Sequence, residues 1–123
     1  MNLTEYASYD GLGLAELVAR KQVSPKELVL TAVAAKEKVD PAVRSVVELY
    51  PDRIDGLDEK SLGNGPFRGV PFLIKDVFGH EKGRKIEFGS RLCEGMTVEV
   101  DTHFIELLRA SGVNILGRSA APE

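Results

Sequence analysis

Cysteine is nearly missing from this sequence: Cys93 is the single thiol in 123 residues. One cysteine closes no disulfide within the chain and builds no thiolate metal site by itself, which agrees with a reducing compartment. Nothing flanking it resembles a helix N-terminus or a cationic pocket, so Cys93 reads as a small apolar residue or an idle thiol. Histidine is almost as scarce, with only His80 and His103. Without a third ligand at a suitable spacing they make no recognisable zinc site, and both are expected at the surface. No stretch approaches the roughly 20 apolar residues of a membrane span. Met1–Asp10 has neither the basic nor the apolar region of a secretory leader, so no membrane association is expected and the cytoplasm is the default compartment. An excess of either charge is lacking as well. Sixteen Lys and Arg face nineteen Asp and Glu, a formal net charge of -3, with the signs interspersed. That balance supplies no basic face for a phosphate backbone, and nucleic acid is not expected as a partner. Gly11-x-Gly13 and Gly63-x-Gly65 lack the strand-before, helix-after setting of a phosphate loop. No cofactor and no metal are implied.

What is present is an ordinary globular composition, 43% hydrophobic and 28% charged, patterned as alternating helices and strands. Asp10 is placed to cap a helix to about Lys21, with Leu14, Leu17 and Val18 on one face. Ser24-Pro25-Lys26-Glu27 is a stronger start signal: Ser24 as N-cap, Pro25 where a missing N–H is harmless, and Glu27 positioned to close a capping box. The helix it opens is predicted to run to about Val39 and to end at Asp40-Pro41, because the residue before proline is pushed out of the helical region. Lys36-Glu37-Lys38 reads as a solvated face. Val46, Val47 and Leu49 predict a strand over 44–50. Residues 52–68, rich in charge, Gly and Pro, predict a connection with at most one turn of helix.

Val70–Ile74 is nearly all apolar, the pattern of a strand covered on both faces. Between Val77 and Val100 four glycines interrupt every candidate element, and a loop with one short helix is expected. Asp101 is placed to cap a helix with Phe104, Leu107 and Leu108 on one side and Gly112 at its end, followed by a strand over 113–116. The order is α/β, and its strand–helix–strand part favours a parallel pair. Two apolar strands need layers on both sides, yet the chain supplies few helices. The folding unit therefore reads as incomplete, with sheet edges open to another chain.

Alternation places Pro71, Leu73 and Lys75 on one face of the apolar strand, with Lys75 at its carboxyl end. In α/β sheets ligands and chemistry collect at that end, and a lysine withdrawn from water there is a usable general base. The local pattern alone favours the plainer reading, a strand returning to solvent at Lys75-Asp76, since most charged residues are exposed.

The run Gly65-Pro66-Phe67-Arg68-Gly69-Val70-Pro71-Phe72-Leu73-Ile74-Lys75-Asp76 resembles the amidase-signature family, in which a Gly-Pro-x-x-Gly-Val-Pro turn leads into a strand ending in the catalytic lysine. Downstream, Asp101-Thr102, then Leu108–Ser119, then Pro122-Glu123 are similar to the family's helix, strand and Gly-Lys-Thr-Asn-x-Pro-Glu turn. Upstream, Leu14–Val18 and Val23–Leu28 are similar to its usual start. The resemblance covers essentially the whole chain and runs nearest to the branch of 6-aminohexanoate-cyclic-dimer hydrolases. It implies that residues 1–123 form the N-terminal portion of a single amidase-signature domain, a mixed sheet flanked by helices that stops before the Gly/Ser-rich motif.

The resemblance further implies amide hydrolysis by a Ser–cis-Ser–Lys triad, in which Lys75 is the lysine. The two serines fall beyond Glu123 in the family pattern. Ser111 lies in a helix end and Ser119 takes the place of the family's turn threonine, so neither is expected as nucleophile. Two departures stand out: Arg118 where lysine is usual, and Ala120 where asparagine is usual. The charged loop 77–85 departs too, so substrate contacts do not carry over. The implied partners are a small-molecule amide in the complete enzyme and either further copies of the chain or a complementing C-terminal half. A non-catalytic assembly module docking through its strand edges is the alternative from another class.

Overall fold

The computed structural model of the chain describes residues 1–121; Pro122 and Glu123, which the sequence assigns to the family's turn, lie outside the described residues. Helix α1 (Leu3–Ala7), for which the sequence carried no clear pattern, is opened by the Asn2 side chain accepting from the Glu5 N–H at 2.9 Å. Helix α2 (Gly11–Ala19) begins where expected, with Asp10 accepting from the Gly13 N–H at 2.8 Å. Helix α3 (Pro25–Val43) begins on the predicted cap, Ser24 Oγ accepting from the Glu27 N–H at 3.1 Å. Leu28 and Val29 are fully buried on its inner face.

The end of α3 departs from expectation. The helix passes through Pro41 and stops at Val43, with Arg44 in the left-handed region at φ 50. Asp40 explains how. Its carboxylate accepts from the Ser45 N–H at 2.7 Å and the Val46 N–H at 2.9 Å, so the chain leaving the helix is tied back onto the turn that contains the proline. Lys36, on the face expected to be solvated, reaches Asp40 at 3.4 Å.

Strand β1 (Val46–Leu49) leads into a single turn, α4 (Pro51–Ile54), and a 3-10 turn at Glu59–Ser61, then strand β2 (Pro71–Lys75). The segment 77–100 is mostly loop with a 3-10 turn at Arg91–Cys93, close to what the glycine spacing predicts. Helix α5 (His103–Ser111) and strand β3 (Asn114–Ser119) complete the order. The expected cap of α5 is displaced by one residue. Thr102 occupies the N-cap, and Asp101 instead accepts from the Lys82 N–H at 2.7 Å and pairs with Arg109. The buried side of α5 also differs from the expected one: Ile105 is fully buried with Leu108 beside it, whereas Phe104 and Leu107 are more than half exposed. Gly112 ends the helix at φ 93, as its position predicts.

The three strands form one mixed sheet in the order β1-β3-β2, with β3 parallel to β2 and antiparallel to β1. The parallel pair joined through α5 is the arrangement the strand–helix–strand pattern favours. The strand expected to be covered on both faces is only half-buried at Pro71, Phe72 and Leu73, and among the described residues it lies at an edge of the sheet. Proline suits an edge, where its missing N–H breaks no ladder. The central place belongs to β3, which is buried from Asn114 to Arg118 and runs three residues past the predicted end. Tyr50, Ile74, Ile105, Val113 and Ile115 form a core beneath it, while Leu14, Ala15, Leu28 and Val70 form a second one under α2 and α3; Phe67 packs against both.

Gly117 lets β3 continue. A Cβ there would lie 2.1 Å from the Glu48 carbonyl oxygen of β1. Gly117→Ala is therefore expected to destabilise the protein by roughly 1–3 kcal/mol, the usual cost of forcing a methyl group into a filled site. Urea unfolding would read this as a lower midpoint at unchanged slope; an unshifted midpoint would contradict the close approach.

Candidate functional site

Lys75 closes β2 at its carboxyl end, in register with Ser119 of β3. Its side chain is exposed, and among the described residues its ammonium has no carboxylate partner. This segment by itself does not withdraw Lys75 from water. The lysine lies on the rim of a groove of about 490 Å³ lined by Phe72, Leu73, Ile74, Val77, Phe78 and Phe104, with Ser119 at its edge. Phe78, 83% exposed and in the left-handed region at φ 67, lines the same groove as the lysine.

Ser119 belongs to a strand and not to the turn that the sequence suggests; its hydroxyl donates to the Ile74 carbonyl at 3.4 Å. Ser111 Oγ donates to the Leu108 carbonyl at 2.6 Å, a helix-end contact as expected. His103 is exposed and meets Glu106 at 3.1 Å. His80 is not the simple surface residue predicted, since its Nδ1 is buried without a protein partner among the described residues. Cys93 ends the 3-10 turn, half-buried and unpaired. Among the described residues no group of three His, Cys, Asp or Glu is placed to hold a metal ion.

Directly after Lys75 the chain enters an ion cluster that the sequence pattern did not reveal. Arg118 is 3% exposed and Asp76 2%. Each nitrogen of the guanidinium meets a different carboxylate: Nε donates to Glu48 at 2.8 Å, Nη1 to Asp76 at 2.7 Å, and Nη2 to Glu87. Burial works against the charge of Arg118, but the three carboxylates outweigh it and hold the guanidinium above its ordinary range. The Gly95 N–H, with Arg118, holds Glu87 below the usual carboxylate range. A signal for this cluster did exist: Glu48 and Arg118 are single charges of opposite sign, each inside an apolar strand, and they stand opposite one another across β1 and β3.

A second cluster centres on Glu81, 2% exposed, which accepts from Arg53 and, at 2.8 Å, from Arg109. It fixes the loop after Lys75 to α4 and α5. Arg84 lies 4.2 Å above the Tyr50 ring and donates to Asp52 at 2.6 Å. Burial, with Glu81 nearby, pushes the Tyr50 hydroxyl up to about 12.

These pairs set an acid limit on the fold. Arg109 lowers Asp101, Arg84 lowers Asp52, and the Gly95 N–H with Arg118 lowers Glu87. Depressed folded-state values stabilise the protein above the unfolded carboxylate pKa, near about 4, and this contribution is lost as the pH falls through the folded values. Thermal unfolding followed from about pH 7 downward is expected to stay level and then drop steeply below about pH 4.5. A loss already complete by about pH 6 would contradict the carboxylate origin.

A family model described as Amidase matches residues 27–123. The 6-aminohexanoate-cyclic-dimer hydrolase of Paenarthrobacter ureafaciens is 30% identical over 119 residues, which cover 93% of this chain and 23% of that protein. The lipoamidase of Enterococcus faecalis is 29% identical over 121 residues, covering 97% of this chain and 17% of that one. The solved structure of 6-aminohexanoate cyclic dimer hydrolase complexed with substrate superposes with a TM-score of 0.83 at 29% identity, over 94% of this chain and 24% of its own. The chain thus spans less than a quarter of the length of these relatives. No described helix is long and apolar enough to cross a membrane. The match of the amidase model over most of the sequence, on a mixed sheet that superposes on a solved hydrolase, places this chain in the amidase family.

Proposed function

We propose that this chain supplies Lys75 as the proton-transferring group of an amide hydrolase that works by a Ser–cis-Ser–Lys triad, with both serines outside residues 1–123. The observation that carries the reading is the place of Lys75: the carboxyl end of a strand, exposed, without a carboxylate partner among the described residues, on the rim of an apolar groove. A lysine held in an ion pair would keep its proton; one that faces an apolar groove is available to lose it once the groove is covered. In the completed site the nucleophilic serine attacks the amide carbonyl while its proton passes through the bridging serine to the neutral amine of Lys75. The same proton then returns toward the leaving amine, and backbone donors hold the oxyanion.

The substrate class that fits is a small linear or cyclic amide. The similarity to 6-aminohexanoate-cyclic-dimer hydrolases supports it, as do the aromatic walls of Phe72, Phe78 and Phe104 beside Lys75. The unpaired Cys93 agrees with a cytoplasmic setting. The segment 1–123 acts as the N-terminal portion of one amidase domain and has no turnover by itself.

A specific observation favours a second reading of the isolated chain. Among the described residues the outer edge of β2 is unpaired, and beside it α3 and the sheet enclose a further groove of about 480 Å³ lined by Val33, Val39, Val43, Pro71 and Leu73. An edge strand next to an apolar groove is a docking surface, used here for a complementing polypeptide or another copy of the chain.

Three measurements decide between these readings. The pure chain is expected to leave simple amides intact; serine-dependent hydrolysis by it alone would refute the division of the triad. Mixed with a polypeptide carrying the remainder of the fold, it is expected to give amidase activity that Lys75→Ala lowers by on the order of a thousandfold or more. Activity surviving Lys75→Ala would remove the lysine from the mechanism. Sedimentation at micromolar concentration tests the docking surface, and a strictly monomeric chain that binds no such remainder would refute it.

A further inference from the structure

We infer that Asp76, clamped by Arg118, is a positioning residue for Lys75. It fixes the peptide from which the lysine projects and couples it to the turn at 87–89. This rests on the reading of Lys75 given above for its catalytic meaning, while the positioning itself is observable without it.

Among the described residues no ion pair or hydrogen bond orients the side chain of Lys75, so its place is set through the backbone on either side. On the amino side, Ile74 is buried in the core and its carbonyl accepts from Ser119 Oγ at 3.4 Å. On the carboxyl side nearly everything depends on Asp76. Its N–H donates to the Ser119 carbonyl at 2.9 Å, which closes the β2–β3 ladder one residue beyond Lys75. Its Oδ1 accepts from Arg118 Nη1 and from the Glu87 N–H, both at 2.7 Å, and its Oδ2 accepts from the Gly89 N–H at 3.3 Å. To present those two N–H groups, the chain takes left-handed conformations at Phe88, φ 54, and Gly89, φ 65. One carboxylate therefore joins the end of β2, the central strand and the loop.

A role limited to neutralising the buried Arg118 does not account for this arrangement. Arg118 already meets Glu48 and Glu87, and neutralisation requires no contact between Asp76 and the backbone N–H groups of Glu87 and Gly89. Arginine at 118 suits the task because its three nitrogens reach three carboxylates at once. The compact ammonium of a lysine has no such fork to spread over the same span.

The test is amide hydrogen exchange on the full chain, comparing two amides at opposite ends of the β2–β3 ladder. The Asp76 N–H, bonded to Ser119, reports the clamped end; the Asn114 N–H, bonded to the Val70 carbonyl at 2.8 Å, reports the other. Asp76→Asn keeps the shape and removes the charge, Arg118→Lys keeps the charge and removes the fork, and Glu48→Gln takes a carboxylate from Arg118 without touching the residue after Lys75. Exchange at position 76 relative to Asn114 is expected to rise about tenfold or more in the first two variants, the loss of roughly one charge-assisted hydrogen bond. In Glu48→Gln the ratio is expected to stay within about twofold of the parent. Equal acceleration at both ends, or the same change in Glu48→Gln as in Asp76→Asn, would overturn the inference, because a general loss of stability moves both amides together.

In the complemented enzyme the positioning role predicts a lower kcat at unchanged KM for Asp76→Asn. The two ideas fail separately. An exchange ratio that does not move removes the clamp, whereas activity that survives Lys75→Ala removes the catalytic lysine and leaves the clamp standing.

Discussion

Burying the guanidinium of Arg118 in the middle of a three-stranded sheet constrains much of the remaining structure. Withdrawing that charge from water costs several kcal/mol unless partners surround it. The partners come from three separate stretches of chain: Glu48 of β1, Asp76 at the end of β2, and Glu87 in the loop. Satisfying one cation therefore aligns both edge strands against the central one and draws in a loop of otherwise weak local preference. The close approach of β1 at Gly117 and the left-handed turn at Phe88-Gly89 are the backbone adjustments that make those contacts possible.

The Glu81 cluster plays a similar part between the loop and helices α4 and α5. Arg53 of α4 and Arg109 of α5 converge on one buried carboxylate, and through Asp101 the network reaches Lys82 of the loop. The loop that follows Lys75 is thus held at both ends by ion pairs, although it has almost no regular secondary structure. Of the charged residues at 81–85, Glu81 and Arg84 act as structural anchors. That leaves the apolar residues Val77, Phe78 and Phe104 as the surface facing the groove beside Lys75.

Among the described residues neither edge of the sheet has a further strand partner, in a chain that spans less than a quarter of its relatives. The physical requirement is the one legible from the apolar strands: they ask for more cover than these residues provide. The structure refines where the shortage lies. It is not over β3, which is buried, but along β2 and on the exposed parts of α3 and α5, where Val39, Val43, Phe104 and Leu107 face solvent.

Helix starts were legible because a cap is a local event: Asp10 and Ser24 bond to N–H groups three residues on, whatever the distant chain does. The parallel β2–β3 pair, Gly112 as a left-handed helix end, and the place of Lys75 at a strand's carboxyl end were legible for the same kind of reason, since each follows from spacing along the chain. The passage of α3 through Pro41, the exchange of Phe104 for Ile105 on the buried side of α5, and the central place of β3 were not. Each depends on which surface another segment covers. Above all, the sequence marks Arg118 as a single charge within an apolar strand but not as a buried one, and its burial depends on carboxylates 70, 42 and 31 positions earlier in the chain. Sequence alone determined the helix starts at Asp10 and Ser24, the family resemblance and the place of Lys75 at a strand's end; tertiary structure decided which charges go inside, because desolvation is compensated only by partners that folding brings from elsewhere in the chain.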